Sequence, residues 1–272
     1  MRIAMAQISS GTDPQANLAA VAAATERAAA DGARLVVFPE ATMCRFGVRL
    51  GPIAEPLDGP WATGVSEIAA RHDVTVVAGM FTPDADRVRN TLVIAGPDGS
   101  RIGYDKIHLY DAFGFAESRT VAPGDEPVTF DVDGVTVGVA TCYDIRFPAL
   151  FTELAARGAQ LIVVPTSWGA GPGKLQQWQT LATARALDTA CFVAAVGQAL
   201  PSDPELATSS APTGIGHSQL TDPFGSVAAA YDDGEHIGVH DIDPDVVDKA
   251  RAALGVLANR RPIAQSPAPT TN

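Results

Sequence analysis

The stretch "VTVGVATCYDIRFP", residues 135–148, changes its periodicity in the middle. Its first half is a β-branched apolar run that reads as a buried strand ending at Cys142. Beyond it, Phe147 and Phe151, then Leu150 and Leu154, recur at i,i+4, and Gly158 supplies a stop, so a helix is expected over about Arg146–Arg157. A strand that hands over to a helix is the building unit of layered α/β folds. It also puts a thiol at the junction, where a helix N-terminus offers unpaired N–H groups and positive potential. Both lower a thiol's pKa and can cradle a developing oxyanion.

The pattern repeats outward in both directions. "RIAMAQI", "RLVVFPE", "VTVVAGM", "NTLVIAG", "AQLIVVPT" and "CFVAAVG" read as further buried strands. Between several of them lie helical segments: one capped by Asp13 with Pro14 at its first position and stopping before Gly32, others near Trp61–His72 and Lys174–Thr189. From about Thr75 to Val139 the strands follow one another directly, with hairpin turns at "PDGS" and "DVDG", which adds a meander to the α/β pattern. No internal repeat is visible.

With 272 residues, 46% of them hydrophobic, the chain can bury a large core as one domain. Its formal charge of -12 repels phosphate backbones and anionic lipid heads, which argues against nucleic-acid and membrane-surface roles. No window approaches the ~18 apolar residues of a membrane span, so a cytoplasmic protein is expected. Cys44, Cys142 and Cys191 are odd in number and irregularly spaced, which suits reduced thiols better than a disulfide framework or a metal knuckle.

Several local patterns fail on inspection. "GAGPGK" at 169–174 has glycine spacing one short of a phosphate loop, and Leu175 stands where a Ser or Thr is needed. "GHSQL" at 216–220 lacks the closing glycine of a serine elbow. "DIDPDVVDKARA" at 241–252 carries Val246 and Ala252 where a calcium loop requires Gly and Glu, and reads instead as a strand end and an Asp-capped helix start. The five histidines form no compact ligand pattern.

Cys142 therefore needs a different helper. An unshifted thiol is only about 3% thiolate at neutral pH, so a nucleophilic cysteine requires a base or a nearby cation. "VVFPE" ends an apolar strand on Glu40, and another strand feeds "YDKIHLYD", which presents Lys106. Strand ends on one side of an α/β sheet converge on a common crevice, so these three residues can meet despite their separation in sequence. Arg146, four residues after the thiol, has the planar fork that grips a carboxylate bidentately. Its plainer use is a surface pair with an acid on the first helical turn.

These residues resemble the carbon–nitrogen hydrolase (nitrilase) superfamily in "VVFPEAT", "YDKIHLYD" and "TCYDIRFP", with "ARALDTACFVAA" and "GIGHSQLTDPFG" resembling two later segments. The wording "CYDIRFP" is closest to its Nit branch of omega-amidases and deaminated-glutathione amidases. The departures are a segment between Lys106 and Glu117 shorter than is usual there, and Ala149 where a glutamate is common. The resemblance implies a four-layer αββα sandwich formed by a single domain over residues 1–258; the Pro- and Ala-containing end lacks periodicity and reads as a mobile or partner-contacting tail over 259–272. It implies Glu40 as general base, Lys106 and the Tyr143 backbone N–H as oxyanion donors, and Cys142 as the nucleophile that forms a thioester. Glu117 would hold Lys106 and help orient substrate or water. No metal or organic cofactor is required, and a homodimer or larger even assembly is implied. The expected activity is hydrolysis of the terminal amide of a small carboxylate-bearing substrate. Carbamoyl or nitrile hydrolysis is the rival within the superfamily, and a noncatalytic metabolite-binding protein the rival outside it.

Overall fold

The structure, a computed structural model, describes residues 1–261. Most of the tail expected over residues 259–272 lies outside them. In chain order the first half comprises β1 (Arg2–Gln7), α1 (Pro14–Ala30), β2 (Leu35–Val37), α2 (Pro60–His72), β3 (Thr75–Asp84), β4 (Arg87–Ala95), β5 (Arg101–Asp105) and β6 (Val121–Ala122). The second comprises β7 (Thr129–Val132), β8 (Val135–Val139), α3 (Pro148–Ala156), β9 (Leu161–Thr166), α4 (Lys174–Thr189), β10 (Phe192–Gly197), α5 (Pro204–Ala207), β11 (Gln219–Thr221), β12 (Val227–Ala230), β13 (His236–Asp241) and α6 (Pro244–Leu254).

Two sheets result, one in the order β13-β1-β2-β3-β4-β5 with β6 paired to β4, the other β12-β11-β10-β9-β8-β7. Four of the five parallel pairs are bridged by a helix: α1 and α2 connect β1, β2 and β3, while α3 and α4 connect β8, β9 and β10; the fifth pairs β4 with the two-residue β6. A helix is the usual connection for a parallel pair. The two halves thus repeat one architecture that leaves no repeat in the sequence.

Strands covered on both faces explain the unbroken apolar runs. Ile3 and Met5 of β1, Leu161 and Val163 of β9, and Ala194 and Val196 of β10 pack into the layer between the sheets. Their alternates, Ala4 and Ala6, contact α1 and α2, while Ile162, Val164, Val193 and Ala195 contact α3 and α4. Helix, sheet, sheet, helix is the expected αββα order. Among the described residues no helix is long and apolar enough to cross a membrane.

Local signals held where their chemistry is local. Asp13 caps α1 by accepting from the Gln15 and Ala16 N–H groups, and α4 spans the expected Lys174–Thr189. Asp243 caps α6, as the strand-end reading of the acidic run requires. Asp133 and Gly134, both at positive φ (49° and 79°), make the two-residue turn between β7 and β8. Two expectations needed correction. The meander divides: β3, β4 and β5 stay in the first sheet, whereas β7 and β8 belong to the second. The helix after the cysteine starts at Pro148 rather than Arg146, because the residue before a proline is pushed out of the helical region; Phe147 has φ -113° and ψ 89°. Cys142–Arg146 forms a separate 3-10 turn.

Candidate active site

The ends of β2, β5, β8 and β9 point four segments at one cavity. Glu40 stands three residues beyond β2 and is 1% exposed. Its approach requires a glycine on the neighbouring strand: a Cβ added at Gly79 would lie 2.5 Å from the Ala41 nitrogen. Lys106, the residue after β5, is 2% exposed, and its Nζ lies 3.0 Å from Glu40 Oε1 and 2.9 Å from Glu117 Oε2. Glu117 arrives on a short 3-10 turn, Glu117–Arg119, and is also buried.

Every oxygen of the two carboxylates has a donor. Asn90 Nδ2 of β4 donates to Glu40 Oε1 (2.7 Å) and to Glu117 Oε1 (3.2 Å), the Ser167 N–H to Glu40 Oε2 (2.8 Å), and the Tyr110 N–H to Glu117 Oε2 (2.7 Å). Desolvation works against a charged lysine here, yet the charges of Glu117 and Glu40 outweigh it and hold the ammonium well above its ordinary pKa. A cation locked between two acids is fixed in place and aimed at what enters the cavity.

Cys142 lines the same cavity as Glu40, Lys106 and Glu117. It sits at φ 45°, a left-handed conformation rare for a residue with a Cβ. The turn holds it there through Asp144, whose carboxylate accepts from the Thr141 N–H (2.9 Å), the Tyr104 hydroxyl (2.7 Å) and the His108 N–H (2.9 Å). The thiol's turn is thereby tied to the segment that carries Lys106. Arg185 of α4 pairs with Asp188 at 2.8 Å and donates to the Ile145 carbonyl of that turn.

The expectation of a lowered thiol pKa does not hold. Burial first, then the charge of Glu40, push the Cys142 thiol well above its ordinary value; Lys106 opposes them without prevailing. Position explains the reversal. The favourable end of α3 begins six residues later, at Pro148, and a helix dipole acts within its first turn. Alkylation of Cys142 by iodoacetamide should therefore climb steadily from about pH 7 to above pH 9. Peptide mass spectrometry across that range checks this, and a plateau reached below about pH 7 would mean a preformed thiolate.

Tyr143 follows the thiol on the 3-10 turn and lines the cavity, where its N–H belongs to a first helical turn and has no partner within the turn. Arg146 also lines the cavity. It is not the surface pair that was the plainer expectation: among the described residues it makes no ion pair, one amino group donates to Gln177 Oε1 at 2.6 Å, and its buried Nε has no partner. Its guanidinium lies 5.2 Å from the centre of the Trp168 ring. Cys44 and Cys191 are buried packing residues, and Ser218 is a buried strut that bonds Gln7 Oε1 at 2.7 Å.

Asn90, Asp144 and Ser167 escaped the sequence reading. Asn90 carried the one usable signal, an amide at the head of the apolar run "NTLVIAG". Asp144 and Ser167 matter only through partners distant in the chain.

The model of the family described as "Carbon-nitrogen hydrolase" matches residues 2–252. A Mycobacterium tuberculosis protein named only as a hydrolase is 58% identical over 272 residues, with 97% of each chain covered. The deaminated glutathione amidase of Escherichia coli O157:H7 is 35% identical over 243 residues, covering 86% of this chain and 87% of the relative. Among solved structures, a CN-hydrolase superfamily protein of Xanthomonas campestris with an arsenic adduct in its active site superposes with a TM-score of 0.85 at 25% identity, over 98% of this chain and 99% of the other.

Proposed function

The chain belongs to the carbon–nitrogen hydrolase family and acts on non-peptide C–N bonds, and from that premise we propose that it is a cysteine-dependent amidase that converts the terminal amide of a small carboxylate-bearing molecule to the acid and ammonia. The observation that carries this reading is one cavity lined by Cys142, a Glu40–Lys106–Glu117 ion cluster and an Arg146 that no acid neutralises.

Glu40 takes the thiol proton as Cys142 Sγ attacks the amide carbon. A thiol held neutral at rest suits this, because the proton moves only when the bond forms. Charge developing on the carbonyl oxygen meets the Lys106 ammonium and the Tyr143 N–H. The tetrahedral species collapses to a thioester as Glu40 delivers its proton to the departing ammonia. Water, deprotonated by Glu40, then attacks the thioester, and the thiol leaves with the proton.

Arg146 sets the substrate class by pairing with the substrate's carboxylate. Arg146→Gln is expected to lower kcat/KM on glutaramate, the half-amide of glutaric acid, by about 10- to 100-fold. Butyramide, which lacks the acid, should lose less than about threefold. Ammonia-release kinetics on this pair test the reading. Equal losses on both, or release of carbon dioxide from carbamoyl amino acids in place of amide hydrolysis, would overturn the substrate class.

A further inference from the structure

Lys174 belongs to no part of that mechanism, yet it lines the cavity. It is the first residue of α4, follows Gly173 at φ 71°, and has no acidic residue in the first turn beside it. A cation there opposes the helix dipole, so the stability of α4 does not account for its placement. Among the described residues it makes no ion pair. Its Nζ donates to the Tyr110 hydroxyl at 3.2 Å and lies 3.7 Å from the centre of the Phe113 ring.

The space around it is equally particular. The inner cavity above the thiol has a volume of about 30 Å³, room for an amide head and little more. It opens, past Tyr110, Phe115, Gly169, Lys174 and Pro212, into a vestibule of about 310 Å³. Lys174 and Arg146 both line the inner cavity and stand at 5.9 and 5.2 Å from the same Trp168 ring, so they lie within about 11 Å of one another. Two cations on one cavity, neither paired with an acid among the described residues, in a chain of formal charge -12, form a local site for two negative charges.

We propose that Lys174 is a second anion anchor, and that the preferred substrate is an amide whose acyl portion carries two acid groups, the nearer held by Arg146 and the farther, in the vestibule, by Lys174. This rests on the amidase reading, in which Cys142 holds the acyl group. Two carboxylates six bonds apart are roughly 7 Å apart when extended. A charge-assisted hydrogen bond of about 2.8 Å at each end lets such a chain span the two cations.

N-acetylglutamine and N-succinylglutamine form a matched pair of probes. Both present a side-chain amide and an α-carboxylate, and only the second adds a distal acid. The wild-type protein should favour the succinyl compound in kcat/KM by at least about tenfold. Lys174→Met should bring that ratio to within about twofold of one, Lys174→Arg should keep it, and Lys174→Glu should invert it. Lys174→Met should melt at or above the wild-type temperature, which separates lost preference from lost folding. A wild-type ratio near one, a ratio unmoved by Lys174→Met, or hydrolysis of glutaramate with neither extended amide accepted would overturn the proposal. Failure on glutaramate and both glutamine derivatives would overturn the amidase reading itself, and this inference with it.

Discussion

Cys142→Ala is expected to lower kcat on any amide substrate by about 10⁴-fold or more, the scale on which loss of a covalent nucleophile registers once binding and oxyanion donors are left in place. Among the described residues no second cysteine lines the inner cavity to take over, and its serine, Ser167, spends its hydroxyl on the Pro212 carbonyl at 2.6 Å and its N–H on Glu40. The variant keeps the left-handed backbone at this position, since alanine has the same Cβ as cysteine. Protein quenched in mid-turnover should carry one acyl group by intact mass, mapped to Cys142, and the variant none. Turnover by Cys142→Ala within about tenfold of the wild type would refute the thiol mechanism outright. An acyl mass on another residue would move the chemistry away from this turn.

Cys142 stands out in the sequence alone because some of the signals the chain carries are local. Strands buried on both faces announce themselves as apolar runs, and caps such as Asp13–Pro14 are read within a single turn. Glu40 and Cys142 were legible because each is a polar side chain set where an apolar strand ends, and Lys106 because it directly follows a strand. What failed was what depends on distant chain. The division of the meander between two sheets follows from packing, and no feature of any one hairpin encodes it. The direction of the thiol's shift depends first on burial by the folded chain and then on a carboxylate 102 positions away in sequence. Lys174 stood in plain view inside a glycine-rich run that resembles a phosphate loop. Its sequence signal was a lysine at a helix start with no acid nearby, which only the cavity beside it makes meaningful.

Lys106→Met tests the cluster as an electrostatic unit and should damage both folding and chemistry. Removing the ammonium leaves Glu40 and Glu117 buried side by side with Asn90 as their shared donor. Stripping one partner from a buried ion pair destabilises by about 3–5 kcal/mol, because the remaining charge keeps its desolvation penalty without its compensation. The sign of the pH dependence follows. In the wild type the lysine's pKa is raised by folding, so its contribution is complete below its ordinary 10.5 and is lost only above that. In the variant, two facing carboxylates relieve their repulsion by taking up a proton on folding, so its stability falls as pH rises and recovers toward acid. Denaturant unfolding at about pH 5 and pH 8 should therefore show the larger deficit at pH 8. Activity should stay down by at least about 10²-fold at both, since the proton that restores the fold does not restore the oxyanion donor. A deficit that is the same at both pH values, or a variant that regains its turnover with its stability in acid, would mean that Lys106 only braces the cavity and takes no part in the reaction.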